Sequence, residues 1–184
     1  PVQANTCVTA VAPVDGGYRI ETNRGNWRCR AVVVATGPYN LPVVPALSTM
    51  LPTSIRQLTP HQYRNPEQLE PAGVLIVGAS ATGVQIAREV QASGRQVTLA
   101  VGEHVRLPRT YRGRDIQYWM HVTGLLDTGY ADVDDIQRVR SLPSPQLIGH
   151  PNRVNVDLNT LAEQGVNLVG RLVGVQGCTA QFSG

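Results

Sequence analysis

The stretch Val74-Leu75-Ile76-Val77-Gly78-Ala79-Ser80-Ala81-Thr82-Gly83 decides how this chain is read. Val74–Val77 is a short, continuously apolar run, which suits a strand buried in a parallel sheet. Gly78, Ser80 and Gly83 then fall on the three positions of a G-x-G-x-x-G turn. In such a turn the first glycine lets the chain leave the strand sharply. The middle position lets backbone approach a pyrophosphate, and the third glycine lets helix and strand pack closely. A serine in the middle keeps the site small and adds a hydroxyl, but it narrows the approach. Val84–Ser93 follows with a helical pattern, Val84, Ile86, Ala87 and Val90 on one face and Gln85, Arg88, Glu89 and Gln91 elsewhere. Gly94 stops that helix, and Gln96–Val101 reads as a second strand. Two glycines alone are a weak signal; the strand before, the helix after and the strand beyond make it specific. The unit is βαβ, and the turn from Gly78 to Gly83 is a candidate site for a nicotinamide dinucleotide, its phosphates facing the helix N-terminus. The bland alternative is a tight βα turn with no ligand.

The residues after the second strand bear on which coenzyme fits. An acid about twenty positions on would bind the ribose 2′-OH of NAD. Glu103 lies near that distance but falls past the strand end. Arg106, Arg109, Arg112 and Arg114 follow it closely. Arginines there can hold the 2′-phosphate of NADP through charge-assisted hydrogen bonds. Arg106 and Arg109 come first after the strand and are the candidates, so NADP is expected, with NAD the alternative. The competing reading is a solvated basic loop, or arginines paired to acids elsewhere.

Working outward, residues 38–73 carry seven prolines, at 38, 42, 45, 52, 60, 66 and 71, so no long helix runs through them. This is expected to be a crossing between two domains that packs in part against one of them. Before it lies a meander: Val8–Val14, a turn at Asp15-Gly16-Gly17, Tyr18–Thr22, a turn over residues 23–26, and Trp27–Arg30. Ala31–Ala35 is continuously apolar and predicts a strand buried on both faces, ended by Thr36-Gly37-Pro38. Beyond the βαβ unit, Asp115 caps an expected helix over Ile116–His121 that Gly124 stops. Asp132–Arg140 and Leu158–Gln164 are further short helices, and Val166–Val169 and Arg171–Val175 further strands.

At 184 residues the chain is long enough for one sizeable core, or for one domain with part of another. A hydrophobic content of 42% predicts a folded protein. A net charge of +3 is too mild to imply nucleic acid, and no aromatic stacking array accompanies the basic loop. No apolar run reaches the length of a membrane span, and the N-terminus lacks a secretion signal. Cys7, Cys29 and Cys178 make no C-x-x-C pair and no zinc spacing, which predicts reduced thiols, no metal and a cytoplasmic protein. The chain starts at Pro1 without methionine and ends at F-S-G without a closing helix, so an internal fragment is expected.

A strand ending in Ala35-Thr36-Gly37, a proline-rich crossing and V-G-A-S-A-T-G opening a nucleotide domain resemble two-dinucleotide flavoproteins. V-G-E-H-V-R-L-P-R-T-Y-R-G-R-D-I, from Val101 to Ile116, and Y-R-N-P, from Tyr63 to Pro66, are similar to bacterial flavin-containing monooxygenase-like oxidoreductases. The resemblance implies an α/β fold, with a Rossmann-like NAD(P)-binding domain, a parallel sheet with flanking helices, over residues 45–184. A β-meander and A-T-G strand from a partial FAD-binding domain would occupy residues 1–44. It implies that Gly78, Ser80, Ala81, Thr82 and Gly83 hold the nicotinamide pyrophosphate. Arg106 and Arg109 would lie near the adenosine ribose, and Thr36 and Gly37 near the flavin or the crossing. The chain departs from the family in two ways. The FAD glycine fingerprint and the returning FAD segment are absent, and the monooxygenase linker F-x-G-x-x-x-H is replaced by Q-L-T-P-H-Q-Y-R-N-P. In the family an aromatic follows that histidine; aligning on Tyr63 puts Thr59 at the histidine, while aligning on Pro66 puts His61 there with Asn65 at the aromatic. The expected function is an FAD- and NADPH-dependent oxidoreductase, a monooxygenase, acting on a small-molecule substrate in the complete enzyme. The alternatives are a flavin reductase without oxygenation and a non-catalytic NAD(P)-binding regulatory module. No catalytic side chain is assigned.

Overall fold

The computed structural model describes residues 2–37, 41–103, 105–142, 145–146, 152 and 155–183. The chain divides into two compact units, Pro1–Leu41 and Pro42–Gly184.

The first unit is an antiparallel meander of β1 (Val8–Val14), β2 (Gly17–Thr22) and β3 (Gly25–Cys29), in the order β1-β2-β3. Its first turn needs glycine for two reasons. Gly16 has φ +73°, and a Cβ on Gly17 would run into the carbonyl of Cys29 on β3. The second turn is closed by Thr22, whose hydroxyl donates to the Gly25 carbonyl at 2.7 Å and accepts from Arg24 N–H at 3.0 Å. Ala31–Ala35 is not the buried strand its composition predicts. Residues 31–37 lie outside any strand, and Val33 and Val34 are 87% and 81% exposed. Among the described residues no strand pairs with this run. β-branched residues form a strand only where neighbours supply a ladder and a surface to pack on. Thr36 and Gly37 are accordingly exposed and irregular, with Gly37 at φ +65°.

The second unit is mixed α/β around a parallel sheet. Its elements are β4 (Val74–Val77), α1 (Ala81–Ala92), β5 (Val97–Ala100), β6 (Val105–Arg106), β7 (Thr110–Tyr111), β8 (Arg114–Asp115), α2 (Ile116–Val122), α3 (Ile136–Ser141), β9 (Pro145–Gln146), α4 (Leu158–Glu163), β10 (Asn167–Val169), β11 (Arg171–Gln176) and β12 (Thr179–Ser183). The parallel sheet has the order β10-β5-β4, with Leu75 beside Thr98 and Thr98 beside Asn167. The helices α1 and α4 pack together and share one core with it. Val84, Ala87 and Val90 of α1, Val97 and Leu99 of β5, and Leu161 of α4 are fully buried there. Among the described residues α1 and α4 are the flanking helices that share its core. On the opposite face, Leu75 and Val77 are 41% and 54% exposed.

Helix α1 begins three residues before the expected Val84, because Ser80 is its N-cap and Ala81-Thr82-Gly83 form its first turn. Asp115, Asp135 and Asp157 cap α2, α3 and α4, each accepting a backbone N–H at 2.9–3.0 Å. The helix expected over Asp132–Arg140 is split into a 3-10 turn at Tyr130–Asp132 and α3, since Asp135 caps a new start. The hairpin β11–β12 goes beyond the single strand predicted there, turning at Gly177 with φ +56°.

Among the described residues, the regular elements of the proline-rich crossing are two 3-10 turns, Ala46–Met50 and Pro66–Gln68. Part of it packs on α1. Tyr63 and Leu69 lean on the core, Tyr63 donates its hydroxyl to Glu89 at 3.1 Å, and Arg95 donates to the Leu69 carbonyl at 3.1 Å. Burial first, then the Glu89 carboxylate, pushes the Tyr63 phenol up to about 12.

Two outcomes are expected. Leu99→Ala empties a fully buried position on the central strand and lowers unfolding free energy by about 2–5 kcal/mol in urea titrations. Tyr63→Phe removes the tie to Glu89 and costs about 0.5–1.5 kcal/mol near neutral pH. Because the folded pKa lies above the unfolded value of roughly 10, the tie is fully present below that pH and is lost as pH rises toward about 12. The difference between parent and variant should therefore close over that alkaline interval, as read by denaturation at a series of pH values.

Candidate functional site

Strand β4 delivers the chain to a turn whose geometry depends on two glycines in different ways. Gly78 has φ +104°, a conformation L side chains rarely adopt, and donates its N–H to the Ala100 carbonyl of β5 at 3.0 Å. A Cβ there would meet open space, so its requirement is conformational. Gly83, in the first turn of α1, has the opposite requirement. A Cβ on it would run into the carbonyl of Gly78, with the Ile76 side chain next to that contact. Helix and strand meet as closely as backbone allows.

Between them, Ala79 is 4% exposed and Ser80 is exposed. Ser80 is in extended backbone, its carbonyl accepts from Val84 N–H at 3.0 Å, and its side chain makes no capping bond. The N–H groups ahead of Val84 have no residue one turn back in the helix to bond, so the turn presents donors and the positive end of a twelve-residue helix. Thr82 is exposed beside them. The structure thus brings Gly78, Ser80, Ala81, Thr82 and Gly83 together at the C-terminal end of β4.

The four arginines of the basic loop each have a protein partner. Arg106, at the end of β6, donates from Nη2 to the Ala79 carbonyl at 2.7 Å and from Nη1 to the Val156 carbonyl at 3.4 Å. Burial lowers its pKa from the ordinary arginine value, and the Asp157 carboxylate works against that shift. Arg109 pairs with Asp115 at 2.7 Å, and its N–H donates to Asn155 at 2.7 Å. Arg112 and Arg114 stack over the rings of Tyr111 and Tyr118 at 5.3 and 4.3 Å. What sequence reading takes as one basic loop is therefore partly a tight hairpin, β7–β8, turning on Arg112 and Gly113 at φ +47° and +73°. A cavity of about 170 Å³ lies between Arg106–Arg109 and Asn155–Asp157. Residues 155–157 were not singled out from sequence, although Asp157 ahead of Leu158-Asn159-Thr160-Leu161 is a readable helix cap.

Thr36 and Gly37 belong to the other unit, outside any strand. In the crossing, Thr59 donates both N–H and hydroxyl to Gln62, at 2.9 and 3.1 Å, and the His61 carbonyl accepts from Arg64 at 2.7 Å. The residues that either alignment puts at the linker histidine thus sit in one local turn.

The sequence model of the pyridine nucleotide-disulphide oxidoreductase family matches residues 1–123. A CzcO-like oxidoreductase of Geobacillus kaustophilus is 37% identical over 128 residues, which cover 69% of this chain and 36% of that protein. The oxidoreductase CzcO of Bacillus subtilis is 32% identical over 133 residues, covering 72% of this chain and 39% of its own length. The flavin-containing monooxygenase FMO GS-OX3 of Arabidopsis thaliana is 29% identical over 140 residues, covering 71% of this chain and 29% of its own length. The chain thus spans well under half the length of these relatives. Among solved structures, a flavin-containing monooxygenase from Stenotrophomonas maltophilia superposes on all of this chain and 47% of its own, with TM-score 0.53 and 18% identity, a likeness of fold. With the family match running through the meander, the crossing and the glycine turn, this chain belongs to the pyridine nucleotide-disulphide oxidoreductase family, and CzcO-like oxidoreductases and flavin-containing monooxygenases are its relatives.

Proposed function

We propose that this chain carries the nicotinamide-coenzyme site of an FAD-dependent oxidoreductase, a monooxygenase, acting on a small-molecule substrate. The observation that carries the reading is the glycine turn. Gly78 is held at φ +104° and Gly83 has no room for a Cβ, inside the stretch that the family model matches. These are the two demands that a pyrophosphate-binding βα turn makes of its first and third glycines. The sheet order β10-β5-β4 is also that of a mononucleotide-binding half, third strand to first. In this reading residues 45–184 form the Rossmann-like coenzyme domain and residues 1–44 part of the FAD-binding domain.

The coenzyme and the flavin supply the redox chemistry, hydride from the nicotinamide and reaction with oxygen at the flavin. The protein's part is binding and orientation. Backbone N–H groups from Ser80 to Gly83 would hold the pyrophosphate against the helix N-terminus. The Ser80 hydroxyl, not used as a cap, adds a further donor. Arg106 and Arg109 border the ribose end. Of the two, Arg109 has its guanidinium on a side-chain carboxylate, which a 2′-phosphate can share or replace, so NADPH preference is assigned to it. Among the described residues of the first unit there is no strand–glycine turn–helix of this kind. Thr36 and Gly37 are kept only as residues bordering the flavin side, and no step is assigned to them. Disulfide chemistry is not favoured, since Cys7, Cys29 and Cys178 form no C-x-x-C pair.

Calorimetric titration with NADPH and NADH tests the reading. Saturable binding of either is expected, and no heat from a folded sample with both would overturn it. Gly83→Ala must push α1 off β4, costing about 1–3 kcal/mol of stability and most coenzyme affinity. Arg109→Ala should weaken NADPH by about ten-fold while NADH changes little. Equal loss of both would make Arg109 a purely structural partner of Asp115.

A further inference from the structure

Arg106 stands where sequence reading expects a ligand for the coenzyme ribose, yet its guanidinium is turned inward. Nη2 is bonded to the Ala79 carbonyl at 2.7 Å and Nη1 reaches the Val156 carbonyl at 3.4 Å, while Nε is buried without a hydrogen-bond partner. Both accepting residues are buried, at 4% and 7% exposure. One carbonyl belongs to the glycine turn. The other belongs to the segment entering α4, one residue before its Asp157 cap. A planar fork that donates to carbonyls on two separate elements is a brace between them.

The turn carbonyl it holds matters because of what lies across the same peptide. No peptide bond in the described residues is cis. In a trans peptide the carbonyl and the following N–H point in opposite directions. With the Ala79 oxygen fixed on the guanidinium, the Ser80 N–H is fixed facing away from it. A cationic donor on the carbonyl also polarises that peptide, making its N–H a stronger donor. The contact is charge-assisted and part-buried, where it is stronger than at a fully exposed site.

We propose that Arg106 is a positioning residue for the dinucleotide turn: by holding the Ala79 carbonyl it orients and strengthens the Ser80 N–H that meets the pyrophosphate, and so supports NADH and NADPH equally. The inference rests on the coenzyme-site reading above. It differs from a ribose contact in a measurable way, since a 2′-phosphate ligand serves NADPH alone whereas the pyrophosphate is common to both.

The test uses the full chain and two variants. Arg106→Met keeps a buried apolar stem and removes the donors; Arg106→Lys keeps a cation that can reach one carbonyl. Dissociation constants for NADH and NADPH are measured alongside the Ser80 amide proton resonance of the ligand-free protein. Arg106→Met is expected to weaken both coenzymes by about ten-fold and to the same degree. It should also move the Ser80 amide resonance upfield, and Arg106→Lys should recover much of both effects. Loss of NADPH alone would make the guanidinium a ribose ligand and overturn the proposal. So would a Ser80 resonance that does not move. Because that resonance is read without coenzyme, it judges Arg106 even if the parent protein binds neither dinucleotide, an outcome that would defeat the coenzyme reading instead.

Discussion

The second unit is organised by one close approach, the backbone of Gly83 in α1 against the carbonyl of Gly78 at the end of β4. Any side chain at residue 83 would hold the helix away from the sheet. With the helix drawn in, Val84, Ala87 and Val90 reach Val97 and Leu99 of the central strand, and α4 closes over the same surface with Leu161. The same approach sets the angle at which the first turn of α1 leaves the strand, so the direction of its N–H groups follows from packing. Core and candidate site are two results of a single steric constraint. A glycine at residue 83 is therefore required by the fold even before any ligand is considered.

How much of this was readable in the sequence depends on how local each determinant is. The β4–α1–β5 unit was readable because its signals sit within a few residues of each other: an apolar run, two glycines, an amphipathic period and a terminating Gly94. The meander was readable for the same reason, its turns being marked by Gly16-Gly17 and by Gly25. Ala31–Ala35 failed because a strand buried on both faces is specified by its neighbours, and composition cannot supply them. The start of α1 is not legible from propensity, since a glycine at residue 83 argues against helix, whereas the close approach to Gly78 demands it. Tertiary contact overrides local preference there.

The basic loop shows a different limit. Four arginines within nine residues read as a phosphate-binding surface when only their charge is visible. Folded, the guanidinium groups are distributed over a turn carbonyl, a carboxylate and two aromatic rings. Sequence gives the number of cations but not their partners, because those partners are drawn from residues as far away as Ala79 and Val156. The Asp115 partner of Arg109 also serves as the cap of α2, so one carboxylate ties the loop to the helix that follows it.

That distribution separates two tasks which a single arginine cluster would have merged. An arginine on a backbone carbonyl is fixed in place, since nothing can displace the carbonyl without unfolding the turn. An arginine on a half-buried carboxylate is exchangeable in the proposed reading, because an incoming phosphate offers the same kind of anionic oxygen acceptor as the carboxylate it replaces. Arg106 and Arg109 are three residues apart in sequence but have these two different kinds of partner. Holding the pyrophosphate, which every nicotinamide coenzyme carries, can then be assigned to the fixed arginine acting through the turn. In the proposed reading, choosing between coenzymes falls to the exchangeable one. On that reading a change of coenzyme preference needs substitution only around Arg109 and Asp115, leaving untouched the turn proposed to hold the shared part of the molecule.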